Sequence, residues 1–159
     1  LSFKTPIIFS FPNQIENSQR SDLLIHSADI PATILDYAGI EIPESFYGQS
    51  FKSIIEGDSN TGRPYIVGNV VTSRSADPSD VMGRHIEGYW VRKDNWFLRW
   101  HATDEEIELF DVQKDPFNNI DLSKQFPEIR DELKEIAMTY KAAHGADPRL
   151  AYYLEMSGK

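Results

Sequence analysis

The sequence predicts an α+β domain: a small antiparallel sheet of about four strands packed against a long C-terminal helix. Three observations carry this reading. Short β-rich runs cluster between Pro64 and Val112. Lys93-Asp94-Asn95 separates two of them and reads as a tight hairpin turn. From Pro127 to about Ala143, the residues Ile129, Leu133, Ile136, Ala137 and Tyr140 recur at helical spacing along one side, a stripe able to cover a sheet.

Each element has its local reason. Pro6-Ile7-Ile8-Phe9-Ser10-Phe11 is a short apolar run of the kind that forms a strand covered on both faces. Residues 12–21 are polar, hold Pro12, Asn13, Asn17 and Ser18, and read as a loop. A helix begins near Asp29, whose carboxylate is placed to cap free backbone N–H groups, with Pro31 in the first turn. Ile30, Ile34, Leu35 and Ala38 form its apolar stripe, and Gly39 supplies a left-handed stop. Pro43 to Gly48 is a loop; Phe51, Ile54 and Ile55 suggest a short helix. A boundary is expected at Gly57–Pro64, dividing the chain into 1–60, 61–148 and a tail at 149–159.

Past the boundary, Ile66, Val67, Val70 and Val71 predict a strand over 64–72, and residues 73–84 a loop. Tyr89–Arg92 and Trp96–His101 form the hairpin. In its second strand Trp96, Leu98 and Trp100 alternate with Phe97, Arg99 and His101, so one face is apolar and the other mixed. Asp104-Glu105-Glu106 turns the chain into a further strand, Ile107–Val112. Gly145 and Pro148 end the long helix.

Composition narrows the function. Among 159 residues, 40% are hydrophobic and 12% aromatic, which suits a folded domain. A net charge of −9 opposes a nucleic-acid partner, which would need a basic face. It leaves a small anionic substrate open, because a few arginines suffice to hold one sulfate. With no cysteine, disulfides and cysteine-ligated zinc are excluded, and no HxxxH or HExxH spacing offers a histidine zinc site. No apolar run approaches the roughly 18–20 residues that span a bilayer, so no membrane partner is expected. Leu1 is neither an initiator methionine nor part of a signal peptide, so the chain is expected to be a fragment.

Three ordered segments then point to a family. Ser27-Ala28-Asp29-Ile30-Pro31-Ala32-Thr33-Ile34-Leu35-Asp36-Tyr37-Ala38-Gly39-Ile40 resembles the hxDhxPTLLDLAGI helix that follows the catalytic half of sulfatases of the alkaline phosphatase superfamily. Tyr89-Trp90-Val91-Arg92-Lys93-Asp94-Asn95-Trp96-Phe97-Leu98 resembles their xxVRTxxYKYI hairpin. Glu108-Leu109-Phe110-Asp111 with Asp115-Pro116 resembles their ELYDLxxDPxExxNL closing strand and turn, with Asp121 where the pattern has Asn. The resemblance implies that residues 1–60 are the last strand and helices of a truncated α/β sulfatase domain, preceding a C-terminal α+β subdomain. It implies a parent that cleaves sulfate esters with formylglycine and calcium. The partners it implies are the N-terminal catalytic domain and a sulfated small molecule or glycan.

The family's catalytic parts are not in this sequence. Formylglycine is made in a C/S-x-P-S-R motif, and the nearest segment, Ala76-Asp77-Pro78-Ser79-Asp80, has Ala for the nucleophile and Asp for the arginine. No catalytic or metal residue is therefore assigned, and the segment is expected to be inactive alone. Arg74, Arg84 and His85 flank a loop that in such enzymes can reach the active-site mouth. They are the candidate substrate-binding residues, with a solvated loop as the alternative. His26 and Asp29 read as structural groups at the start of a helix or as metal ligands; His101 and His144 read as structural. Trp90, Trp96 and Trp100 could form a sugar-stacking platform or core. The acidic run 104–108 could attract calcium or keep an edge soluble. Rival readings are a fragment of a phosphodiesterase or phosphonate monoester hydrolase, and a non-catalytic binding module. An opening strand with no partner in the chain would favour self-association.

Overall fold

The computed structural model describes residues 6–15, 20–73, 85–102 and 105–145. The chain divides into two compact units, Leu1–Ile66 and Val67–Lys159.

In the first unit, α1 (Asp29–Tyr37) and α2 (Lys52–Ile55) are joined by an irregular segment that lies along α1. Thr33 connects the two: its hydroxyl donates to the Asp29 carbonyl at 2.7 Å and accepts the Phe51 N–H at 3.0 Å. Gly39, at φ 68°, ends α1 with the Ile40 N–H donating back to the Leu35 carbonyl at 2.9 Å.

One expectation for this unit is corrected, at residues 6–11. Within the unit α1 buries Asp29, Ala32 and Thr33, while the stripe Ile30, Ile34, Leu35 and Ala38 stays partly or fully exposed. Ile34 is 56% exposed, because the face that meets the 47–51 segment is chosen by the hydrogen bonds of Asp29 and Thr33. Residues 6–11, expected as a strand, have no regular structure, and Ile8 is 91% exposed. A strand exists only where a neighbour accepts and donates its backbone bonds, and none of the described strands pairs with it.

The second unit is the α+β layer that the sequence predicts. Four strands, β1 (Ile66–Ser73), β2 (His85–Lys93), β3 (Trp96–His101) and β4 (Glu106–Asp111), form one sheet in the order β1-β2-β3-β4. The pairs β2–β3 and β3–β4 are antiparallel, with Val91 opposite Leu98 and Leu98 opposite Leu109. This register places Tyr89, Val91, Leu98, Trp100 and Leu109 on one face. α3 (Pro127–His144) covers that face with Leu133 and Ala137, while Ile129, Ile136 and Tyr140 pack around them. Pro127 opens the helix where no intrahelical donor is needed, and Lys141 and His144 suit the negative end of its dipole.

The β2–β3 turn needs a left-handed residue, which Asp94 supplies at φ 48°. The Arg92 guanidinium bonds the carbonyls around it, those of Lys93, Asp94 and Trp96. On the face away from α3, Trp90, Phe97 and Phe110 line up across three strands, with neighbouring ring centroids 6.4 Å apart. Gly68 leaves the space that Trp90 fills: a Cβ there would lie 2.7 Å from Trp90 Cζ2. Gly68→Ala is expected to cost about 1–3 kcal/mol, read as a lower urea midpoint, because the indole must leave its rotamer. An unchanged midpoint would show that the indole moves freely.

Candidate functional site

The buried polar groups of the first unit converge on Asp29, 2% exposed at the start of α1. The carboxylate was expected to cap the helix. Instead Ala28 is the N-cap, with no side-chain cap bond, and Asp29 reaches to segments outside the helix. Its Oδ2 accepts the His26 N–H at 2.7 Å and Arg63 Nε at 2.8 Å. Its Oδ1 accepts the Gln49 N–H at 2.8 Å and Arg63 Nη2. The pair is a two-pronged fork, the arrangement in which an arginine–carboxylate bond is strongest. Arg63 also donates to the Tyr47 carbonyl at 3.1 Å and lies 5.0 Å from the centre of the Tyr47 ring.

Burial alone would raise the Asp29 pKa. The Arg63 guanidinium and the N–H groups of Gln49 and His26 outweigh it and hold the carboxyl below the usual range. The same pairing raises the Arg63 pKa against its own burial. His26 Nδ1 accepts the Ala28 N–H at 3.1 Å, and its ring meets the Tyr47 ring edge-on at 5.2 Å. With every acceptor position of Asp29 taken, this cluster binds segments of its own chain together and has no oxygen left for calcium.

Three carboxylates of the second unit are similarly engaged. Glu87 accepts the Tyr89 hydroxyl at 2.6 Å and Lys141 Nζ at 2.9 Å, tying α3 to β2. Glu108 pairs with Arg99 at 2.6 Å, and His101 Nε2 lies 3.7 Å from the same carboxylate. Asp121, at the position of the family's Asn, accepts the N–H groups of Leu109 at 3.0 Å and Ser123 at 2.9 Å. Both bonds need only one side-chain oxygen, which Asn also carries, but the Ser123 hydroxyl donates to the second carboxylate oxygen at 2.9 Å, a bond that needs the Asp.

Among the described residues no group of three or more His, Cys, Asp or Glu side chains is placed to hold a metal ion. The described residues do not fit a calcium shell. Arg74 and Arg84 lie outside the described residues, as does the expected loop at 74–84. His85 is the first residue of β2, and its side chain is also outside them. The three tryptophans do not make one platform. Trp96 and Trp100 belong to the face under α3, with Trp96 against Phe126, whereas Trp90 is on the opposite face with Phe97. In the acidic run, Glu105 bonds Lys134 of α3 at 3.2 Å and Glu108 is paired as above. The residues that sequence reading missed are Arg63 and Gln49. Their only signal is an arginine and a glutamine in loop segments, which become partners of Asp29 through the fold alone.

Residues 1–143 match the family described as N-sulphoglucosamine sulphohydrolase, C-terminal. An arylsulfatase of Clostridium perfringens is 31% identical over 140 residues, covering 85% of this chain and 27% of the relative. An N-acetylglucosamine-6-O-sulfatase of Bacteroides thetaiotaomicron is 26% identical over 145 residues, covering 87% and 25%. This chain therefore spans about a quarter of the length of these relatives. The fold recurs in a 2-O GAG sulfatase structure, with a TM-score of 0.58 and 22% identity over 75% of this chain and 26% of that one. It recurs also in a phosphonate monoester hydrolase from Silicibacter pomeroyi, with a TM-score of 0.53 and 23% identity over 72% and 24%. Together with the four-stranded sheet and its covering helix, the match over 1–143 shows that the chain belongs to the family of sulfatase C-terminal domains.

Proposed function

We propose that this chain serves a sulfuric ester hydrolase as its C-terminal portion, supplying structure and part of the substrate mouth. The observation that carries the reading is the family match over residues 1–143, on a fold shared with sulfatase structures. In this reading residues 1–60 close the α/β catalytic domain of the whole protein. The exposure of Ile8, Phe11 and Ile34 supports that, since apolar surface of this kind calls for a covering partner. Calcium and formylglycine belong to the catalytic portion, and the substrate is a sulfate ester. A sulfated sugar is favoured by the name of the Bacteroides relative. Arg74, Arg84 and His85 are its proposed contacts. A second reading, hydrolysis of a phosphonate monoester or phosphodiester, is favoured by the likeness to the Silicibacter pomeroyi enzyme.

The test compares two proteins: residues 1–159, and a protein in which this chain follows its catalytic portion. The first is expected to turn over neither 4-nitrophenyl sulfate nor a phosphonate monoester. It would lack both positioning and charge stabilisation, which together account for most of the barrier lowering in such reactions. The longer protein is expected to release sulfate. Release from the phosphonate ester alone would establish the second reading, and chelator-sensitive sulfate release by residues 1–159 would refute the first expectation.

A further inference from the structure

The sequence positions His26 three residues ahead of Asp29, and the fold gives its ring a specific task. Nδ1 accepts the Ala28 N–H at 3.1 Å, a bond that only an unprotonated Nδ1 can make, so the ring hydrogen is on Nε2. The segment that this bond shapes is held on both sides. The Arg63 N–H donates to the Leu24 carbonyl at 2.9 Å, and the His26 N–H donates to Asp29 at 2.7 Å. Three groups face the ring: Asp29 of α1, the Tyr47 ring from the 43–50 loop, and Arg63 from the segment before β1.

We propose that His26 is an acid-released latch at the start of α1: a second ring proton removes the acceptor for the Ala28 N–H and loosens residues 24–28 from the Asp29–Arg63 tie.

Two features make the latch selective for the neutral ring. Burial opposes a charge on the half-buried imidazole and lowers its pKa. Asp29 favours the charge, but its oxygens are committed to Arg63, and Arg63 itself repels a second cation. The sign follows. The His26 pKa is lower in the fold than its ordinary value of 6.5, so the unfolded chain binds the proton first. The stabilisation is complete above that value and is lost as pH falls through the lower, folded value. The Asp29 carboxyl titrates only below its ordinary 3.8, so the two losses fall in separate ranges.

The test uses the full chain. Amide exchange at Ala28, corrected for the intrinsic rate, is compared at pH 7.5 and at pH 4, which is still above the range in which Asp29 titrates. The loss of one hydrogen bond predicts a fall in protection on the order of fivefold. In His26→Asn the side-chain oxygen can accept the same N–H without titrating, so its protection is expected to be equal at the two pH values. Equal protection in the native chain, or the same fall in His26→Asn, would overturn the proposal. Nitrogen chemical shifts of the native ring give an independent reading. An Nδ1 without hydrogen at pH 7.5 that gains one on acidification supports the latch, and an Nδ1–H at pH 7.5 defeats it.

Discussion

Asp29→Ala is expected to destabilise the first unit by about 3–5 kcal/mol, because it leaves the Arg63 guanidinium, 11% exposed, without its carboxylate. It also strips the acceptors from the His26 and Gln49 N–H groups. Arg63→Ala should cost a similar amount by stranding the carboxylate. The double variant should lose clearly less than the sum, since the second change removes a charge that the first left unpaired. Amide exchange across α1 during a urea titration reads this unit separately from the sheet. Strict additivity would mean that the two side chains act independently. The carboxyl also sets an acid limit. Its folded pKa lies below 3.8, so its contribution is present above that value and is lost as pH falls further. Asp29→Ala should flatten that part of the profile.

Leu133→Ala is the counterpart in the second unit. The side chain is 1% exposed between α3 and the sheet, among Tyr89, Leu98, Trp100 and Leu109. Removing it leaves a cavity under rigid aromatic neighbours, and the expected loss is about 2–5 kcal/mol. Glu135, two residues on, is exposed, and Glu135→Ala should change stability by no more than about 0.5 kcal/mol. Denaturant midpoints for the two variants compare them directly, and equal losses would place α3 in a different rotation.

The second unit was legible before its structure because its signals are local. Alternation in Trp96–His101 assigns a face to each residue, and the Asp94 turn sets the register that carries those faces across β2, β3 and β4. The spacing of Leu133 and Ala137 then names the side of α3 that meets them. The first unit was legible only in its element types. Periodicity marked the apolar stripe Ile30, Ile34, Leu35 and Ala38, but it did not mark the face that this unit itself buries, Asp29, Ala32 and Thr33. Hydrophobic spacing records which face of a helix is able to be buried, and the hydrogen bonds from Gln49, Phe51 and Arg63 decide which face this chain buries.

The same division holds for the site and for the family. Order and spacing of three segments were enough to point to sulfatases, because each segment is continuous and keeps its own turn chemistry. The missing nucleophile motif was equally plain in the residues. The Asp29–Arg63 fork was not, since its partners are 34 residues apart and neither position has a periodic or capping signal that names the other. This buried ion pair depends on a helix start and a distant loop arriving together, and long-range pairing of that kind leaves no mark in local composition. What the amino-acid sequence determined by itself was therefore the family, the sheet and its covering helix. Which carboxylate is satisfied, and by what, was decided only when the tertiary fold brought Gln49 and Arg63 to the start of α1.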